Sequence, residues 1–131
     1  MRIMLDTNVL LSALLFPGES INALMYKVTS EHQLVLSTYI VWELLDVTRR
    51  KFPTKEEAVD TLLSQLPYEL VYTPELPEQG LFDIRDIKDY PVLYSAITEG
   101  VDILITGDKD YDDVDIEKPE IIKPADFLKK Y

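Results

Sequence analysis

The sequence predicts an α/β protein, a three-layer α/β/α sandwich around a mainly parallel sheet of four to five strands, formed by one domain over residues 1–131. Short apolar runs alternate with longer segments whose apolar residues recur at helical spacing. Such alternation is typical of right-handed crossovers, which produce a parallel sheet with helices on both faces. Two apolar runs, residues 3–5 and 101–105, end on polar and acidic residues. Because open α/β sheets bind ligands at the carboxyl ends of their strands, the sequence predicts an acidic pocket there.

Apolar spacing and helix-breaking residues locate the elements of the first half. In chain order we predict a strand over 2–5, a helix from 6 or 7 to 15, a helix from 19 or 20 to 29, a strand over 34–36, and helices over 39–51 and 55–65. The first helix ends at Phe16-Pro17-Gly18, a helix-breaking triplet. Ser37 and Thr38 offer N-cap side chains to the third helix. The basic residues that close this helix suit the negative end of its dipole.

The second half follows the same alternation with shorter strands. In chain order we predict a strand over 69–72, a helix from 89 or 90 to 99, a strand over 102–105, a short edge strand over 120–122 and a last helix over 124–128. Pro91 is tolerated in the first turn of a helix, and Gly100 is typical of the residue that follows a helix end. Residues 74–80, rich in proline and glycine, form a loop.

Composition limits the class of protein. The formal net charge is −11, so the chain repels nucleic acid on average and does not suit the usual basic DNA-binding module. A metal-dependent nuclease remains compatible with this charge, because clustered carboxylates are what a Mg²⁺ or Mn²⁺ site requires. The absence of cysteine excludes disulfides and cysteine-based zinc sites. With no signal peptide and no apolar run of membrane-spanning length, we expect a cytoplasmic location and no membrane partner.

Four acidic residues from separate segments are predicted to meet at one end of the sheet. Asp6 and Asp108 directly follow strand ends. Glu43 and Asp89 belong to the first turns of helices that would lie over the same edge. Asp110 is close enough to the end of its strand to be a further metal ligand. Acids from four segments at one edge are harder to explain as solvated surface than a run of acids along one helix.

The chemistry that such a cluster supports is metal-assisted hydrolysis. Carboxylates within about 4–6 Å of one another repel and raise each other's pKa. A divalent cation such as Mg²⁺ or Mn²⁺ relieves that repulsion and prefers oxygen ligands. It can activate a water molecule and stabilise charge on a phosphate under attack. Thr7, Asn8 and Thr106 are candidates to orient the ligands through hydrogen bonds, and Lys109 is a candidate phosphate contact.

Each acid also has a purely structural interpretation. Asp6 or Asp89 would only cap a helix, and Glu43 would only be a solvated helix residue. Asp86, a further candidate in the same region, would pair with Arg85 or Lys88. These interpretations explain single residues, whereas a metal site explains why similar acids follow two separate strands.

Taken together, the motifs resemble those of the PIN domain, and in particular of the toxin-type PIN proteins related to VapC. The resemblance covers nearly the whole chain, and it depends on the order and spacing of short motifs. The motifs are Leu5-Asp6-Thr7-Asn8, Glu43, Asp89-Tyr90-Pro91-Val92-Leu93 and Thr106-Gly107-Asp108-Lys109-Asp110. The segment Arg85-Asp86-Ile87-Lys88-Asp89 is similar to the one before the corresponding helix in a widespread prokaryotic PIN subgroup of toxin–antitoxin type.

The resemblance implies a metal-dependent endoribonuclease that uses Mg²⁺ or Mn²⁺ and acts on RNA. It also implies a homodimer and a cognate antitoxin protein that blocks the site. The residues that match the catalytic and metal-binding acids of the family are Asp6, Glu43, Asp89 and Asp108, with Asp110 as an additional metal ligand. Asn8 or Thr106 matches the supporting polar positions. The strongly negative net charge favours a restricted RNA substrate over general RNA affinity.

Two other functions fit parts of the sequence. A phosphohydrolase of the haloacid dehalogenase kind also places an aspartate after its first strand, but it requires a second aspartate two positions on, where this chain has Asn8. A PIN-like protein-binding module with little catalysis would use the apolar helix stripes that contain Met25, Tyr26 and Leu63. Weak Mn²⁺ affinity that does not depend on Asp6 would indicate such a module.

Overall fold

A sheet of five parallel strands lies at the centre of the protein, in a computed structural model that describes residues 1–131. The strands are β1 (Arg2–Leu5), β2 (Gln33–Ser37), β3 (Tyr68–Val71), β4 (Ile103–Ile105) and β5 (Glu120–Ile122). The helices are α1 (Thr7–Leu15), α2 (Glu19–Glu31), α3 (Thr38–Lys51), α4 (Glu56–Gln65), α5 (Tyr90–Thr98) and α6 (Pro124–Lys130). Three short 3₁₀ turns cover Pro53–Lys55, Ile87–Asp89 and Lys109–Tyr111. The predicted three-layer α/β/α fold is confirmed.

The order of the strands brings the ends of β1 and β4 together. The sheet runs β3-β2-β1-β4-β5, so the chain moves outward from β1 to β3 and then returns to β4 on the other side of β1. This reversal makes the gap between β1 and β4 the switch point, where doubly wound sheets bind ligands. Leu5 pairs with Ile105 in the ladder, and the Asp6 N–H donates to the Ile105 carbonyl at 3.0 Å. Asp6 and Thr106 therefore leave the sheet side by side.

Buried apolar residues hold the central strands in place. Ile3, Met4 and Leu5 of β1 are fully buried, as are the apolar residues of β2. Continuous burial is expected where helices cover both faces of a parallel sheet. Because the strands are packed on both sides, their carboxyl ends are fixed relative to one another. None of the helices combines the length and the apolar character that a membrane crossing requires.

The helices begin where the sequence signals predict, and their observed bounds differ from the prediction by at most two residues. Ser37 is fully buried and accepts a hydrogen bond from the Ile40 N–H at 3.2 Å, so it caps α3. Pro91 lies in the first turn of α5. Gly100 follows α5 with φ 66°, a conformation that glycine adopts without strain. The largest shifts are at the ends of α2 and α6, which each continue for two residues beyond the predicted limit.

Candidate functional site

Asp6 joins the ends of β1 and β4. One carboxylate oxygen accepts the Thr7 N–H at 2.8 Å, and the other accepts the Thr106 hydroxyl at 2.7 Å. The residue is only 3% exposed. The pKa of Asp6 is raised to about 6, mainly by burial. The hydrogen bonds from Thr106 and Thr7 oppose this shift, whereas the charges of Glu43 and Asp108 add to it. Asp6 therefore does more than cap α1, because its second oxygen reaches a neighbouring strand.

Glu43 lies at the same end of the sheet as Asp6. It is half-buried in α3, and its carboxylate accepts a hydrogen bond from the Thr7 hydroxyl at 2.5 Å. Because α3 begins directly after β2, its first turns lie above the carboxyl end of the neighbouring strand β1. Thr7 thus links the two acids, donating its N–H to Asp6 and its hydroxyl to Glu43.

Asp108 is positioned by the same threonine that orients Asp6. The Thr106 hydroxyl donates to Asp6 and accepts the Asp108 N–H at 3.1 Å. The Asp108 carboxylate in turn accepts the Asp110 N–H at 2.9 Å and so begins the turn that follows β4. The loop after β4 therefore places Asp108 beside Asp6 and Asp110 near Asp86 and Asp89.

Asp89 precedes α5 without capping it. Its side chain makes no hydrogen bond to the helix start, and its Oδ2 atom is buried without any hydrogen-bond partner in the chain. Burial, together with the charges of Asp108 and Asp6, raises the pKa of Asp89 to about 8. A buried carboxylate oxygen that makes no hydrogen bond is unfavourable in isolation. Such an oxygen fits a ligand of a cation.

Asp86, which the sequence analysis did not include among the metal ligands, also belongs to this cluster. Carboxylate oxygens of Asp86, Asp89 and Asp110 lie within 4.8 Å of one another. The interpretation that Asp86 pairs with Arg85 or Lys88 is wrong, because Arg85 pairs with Asp113 at 2.6 Å and Lys88 forms no ion pair. Asp86 instead accepts the backbone N–H two residues later at 3.0 Å, which begins the turn before α5. The sequence signal that could have identified Asp86 is its position three residues before Asp89, across one turn.

Two tyrosines, which the sequence analysis did not identify as part of the site, stand beside the acids. The Tyr39 hydroxyl donates to the Lys88 carbonyl at 3.3 Å, and the Tyr111 hydroxyl lies 3.5 Å from the Asp89 carbonyl oxygen. Burial raises the pKa of Tyr39 to about 12, and the charges of the surrounding acids add to the shift. The pKa of Tyr111 is also raised, first by burial and then by the same acids. Both hydroxyl groups contact the backbone of the turn that carries Asp89.

Two other predicted residues, Asn8 and Lys109, are exposed. Asn8 is exposed at the start of α1 and lines a separate, largely apolar groove of about 320 Å³ with residues that include Ile21 and Leu128. Lys109 is exposed in the turn after β4. The two threonines predicted to support the acids hold them through hydrogen bonds, whereas Asn8 faces another groove.

The charges of the cluster are uncompensated within the chain. Eight ion pairs are formed, and none of them includes Asp6, Glu43, Asp86, Asp89, Asp108 or Asp110. All the potential ligands are oxygens, which favours a hard divalent cation such as Mg²⁺, Mn²⁺ or Ca²⁺. These residues therefore suit a metal ion. Their donor atoms are oxygens, Oδ2 of Asp89 is unpaired and no cationic side chain is paired with them.

Replacing Thr106 by valine should raise the pKa of Asp6 above about 6, because the lost hydroxyl bond lowers that pKa in the native protein. The change also leaves the Asp108 N–H without its acceptor, at a cost of about 1–3 kcal/mol in the free energy of unfolding. Carboxyl-carbon NMR titration of the metal-free protein measures the pKa. Thr98→Val is the matched control, since that exposed hydroxyl bonds only carbonyls of its own helix. A lower or unchanged pKa of Asp6 would contradict the role given to Thr106.

The family profile described as the PIN domain matches residues 2–110 of the chain. No curated protein sequence matches this chain. A chain in the crystal structure of VapBC2 from Rickettsia felis, bound to a promoter DNA fragment, is similar in fold with a TM-score of 0.68 and 21% identity, covering 93% of this chain and 97% of that one.

Two further crystal structures contain similar folds. The match to DNA-bound VapBC from Salmonella typhimurium has a TM-score of 0.69 and 17% identity, covering 95% of this chain and 98% of that one. The match to FitAB bound to the IR36 DNA fragment has a TM-score of 0.67 and 17% identity, covering 93% and 94%. At these identities the likenesses show a shared fold.

Proposed function

The chain belongs to the PIN domain family, and we propose that it is a metal-dependent endoribonuclease that hydrolyses RNA phosphodiesters as the toxin of a toxin–antitoxin pair. The observation that carries this proposal is the convergence of Asp6, Asp86 and Asp108 on Asp89, whose Oδ2 is buried and unpaired. Had Glu43 or Asp89 lain at the opposite edge of the sheet from Asp6, the proposal would have had no site.

Asp6, Asp89 and Asp108 would hold a Mg²⁺ or Mn²⁺ ion, with Glu43 and Asp110 completing the acidic set. The ion would supply positive charge that stabilises the charge developing on the phosphate. Burial and its two hydrogen bonds hold the Asp6 carboxylate in one orientation.

Glu43 is the candidate general base for the attacking water. Its carboxylate is held by the Thr7 hydroxyl through one oxygen, Oε1. Its other oxygen is left to orient the water and accept its proton. Asp86, whose oxygens lie close to those of Asp89 and Asp110, extends the acidic set toward a second ion.

We further propose a cognate antitoxin protein and a homodimeric assembly. The similar chains come from VapBC and FitAB crystal structures bound to DNA, which supports a protein partner for this chain. A net charge of −11 opposes general affinity for RNA, so the RNA substrate is expected to be restricted. A basic segment of the antitoxin would complement the acids of the site.

Binding of Mg²⁺ should release protons at about pH 7. Asp89, with a pKa of about 8, is mostly protonated there, and ligation requires the carboxylate, so we expect roughly one proton per bound ion. The number of protons released per ion should fall toward zero at about pH 9, where Asp89 is already mostly ionised. Calorimetry in two buffers of different ionisation enthalpy measures it, with the exposed-residue variant Asp60→Asn as a control. Weak binding that does not depend on Asp6 would instead indicate a protein-binding module.

Cleavage of a panel of single-stranded and hairpin RNAs, with Mn²⁺ and then with EDTA, tests the activity. The proposal expects cleavage of some of these RNAs, dependent on the ion and blocked when EDTA removes it. The haloacid dehalogenase alternative expects hydrolysis of small phosphate monoesters, although Asn8 occupies the position of its general acid and is exposed. Ion-independent cleavage of RNA would contradict both.

A further inference from the structure

An aromatic groove of about 400 Å³ opens beside the acidic cluster, where α3 begins. It is lined by Tyr39 and Trp42 of α3 and by prolines of the loop after β3 and of α5, namely Pro74, Pro77 and Pro91. Trp42 is 58% exposed, and its ring centroid lies 5.8 Å from that of Tyr39 at an interplanar angle of 42°. Core packing does not explain an exposed tryptophan in such a groove.

The groove borders the turn that carries Asp89. Trp42 directly precedes Glu43 in α3. The Tyr39 hydroxyl donates to the carbonyl of the residue before Asp89, and Pro91 follows Asp89 by two positions. The Tyr39 ring thus stands between Trp42 and the turn that carries Asp89. A nucleotide next to a phosphate held at the acids would have its base within reach of these rings.

The charge of the groove disfavours phosphate as its occupant. Glu75 is the only charged residue among those that line it, and an anion there repels a phosphodiester. A neutral, flat base is complementary to a wall of aromatic rings and prolines. Stacking on aromatic side chains is how proteins bind single-stranded nucleic acid without depending on base identity. In a duplex the bases are already stacked and are not available.

We propose that Tyr39 and Trp42 form a stacking site for one unpaired base of single-stranded RNA, next to the phosphodiester that is cleaved. This proposal rests on the nuclease function proposed above. The site supplies binding free energy that an acidic chain cannot obtain from phosphate contacts. It also restricts the substrate to RNA that is unpaired beside the cleavage position.

Trp42 is the only tryptophan of the chain, so its fluorescence reports on the groove directly. Oligoadenylate of about ten nucleotides, with phosphorothioate linkages that resist hydrolysis, should quench this fluorescence in a saturable way in the presence of Mg²⁺. The same oligomer without bases should not quench it, and Tyr39→Ala should weaken the quenching. Equal quenching by the base-free oligomer, or none by oligoadenylate, would overturn the proposal.

Cleavage kinetics give a second readout. Trp42→Ala should raise KM for a single-stranded RNA that the wild type cleaves by about 5- to 150-fold, the equivalent of roughly 1–3 kcal/mol for one stacked base, with little change in kcat. Trp42→Phe should restore most of the affinity. Tyr26→Ala removes an equally prominent aromatic ring, 74% exposed on α2, and should change neither constant.

The two measurements separate failure of this proposal from failure of the nuclease function. Base-dependent quenching without any cleavage would retain the stacking site and remove the nuclease. Cleavage with unchanged KM in Trp42→Ala would retain the nuclease and remove the stacking site. If Trp42→Ala instead dissociates a dimer in size-exclusion chromatography while KM stays constant, the groove is a protein interface and the proposal is wrong.

Discussion

Replacing Asp6 by asparagine is expected to lower kcat/KM for RNA cleavage by roughly three orders of magnitude, or about 4 kcal/mol of transition-state stabilisation. The substitution removes one negative charge from the centre of the site at constant size. The amide oxygen can still accept the Thr7 N–H, as the carboxylate does at 2.8 Å, so α1 keeps its cap. The loss should therefore come from weaker ion binding and poorer positioning, with the fold retained. Cleavage of the best RNA of the panel at several Mn²⁺ concentrations measures it.

The matched control is Asp60→Asn, which makes the same change in charge on the exposed side of α4. It should leave kcat/KM within a factor of about two, since surface substitutions of this kind rarely matter. Circular dichroism and the unfolding midpoint of each variant show whether the fold persists. Equal activity of Asp6→Asn and the wild type would refute the assignment of the site.

Replacing Asp89 by asparagine should lower activity and raise stability at the same time. In the metal-free protein the pKa of Asp89 is about 8, because the carboxyl is partly buried and faces the charges of Asp108 and Asp6. Ionising it in the folded protein is therefore unfavourable. An amide of the same shape carries no charge. Because solvent screens part of the repulsion at this partly buried carboxyl, we expect a gain of only roughly 1–3 kcal/mol in the free energy of unfolding at about pH 8. Cleavage should fall by a factor comparable to that for Asp6→Asn.

The stability of the metal-free protein is expected to fall as the pH rises. The folded pKa of Asp89, about 8, lies above the unfolded value, so the folded protein binds more protons between about pH 4 and pH 8. The stability of the metal-free wild type is therefore highest below about pH 4, as far as this group is concerned, and falls as the pH rises through 8. Asp6, with a folded pKa of about 6, adds a loss in the same direction over the lower part of that range. Asp89→Asn should flatten the upper part of the curve.

Urea unfolding across this pH range, with and without Mg²⁺, measures the effect. In the wild type, an ion at about one hundred times its dissociation constant should restore about 2.7 kcal/mol, whereas Asp89→Asn should gain much less. Asp60→Asn serves again as the control of equal charge. If Asp89→Asn is destabilised at about pH 8 in the absence of ions, the carboxylate is a structural group and the metal assignment is wrong.

These two substitutions distinguish a functional cluster from a structural one. Acids that stabilise a fold are paired, and removing one leaves its partner unsatisfied. Here none of the six acids has a cationic partner in the chain. Asp89 even leaves one oxygen buried without a hydrogen bond. Loss of activity together with gain of stability is the expected signature of a site that is strained until its ion binds.

Much of this architecture can be predicted from local pattern. The strand over residues 2–5, the caps at Asp6 and Ser37 and the stop at Gly100 follow from periodicity and from the chemistry of single residues, and the structure has them within two residues of the prediction. The fold class was predicted in the same way, since alternation of strands and helices favours a parallel sheet. Asp6 and Asp108 were identifiable because strand ends in such a sheet face one edge.

Other features depend on residues that are distant in the chain. Alternation alone does not specify that β1 lies between β2 and β4, yet that order sets Asp6 beside Thr106, one hundred positions away. The membership of Asp86 in the cluster, and the contact of Glu43 with Thr7, arise from the packing of loops and α3 above the sheet. The raised pKa of Asp89 exists only when burial and the neighbouring charges act together.

The amino-acid order thus specifies where each strand and helix begins and which acids end up near a strand terminus, because periodicity and capping act over a few residues. Long-range packing specifies which of those acids share one pocket, how far each is removed from water and which oxygen is left unpaired. Desolvation and Coulomb repulsion depend on distances in space, and no local pattern encodes those distances.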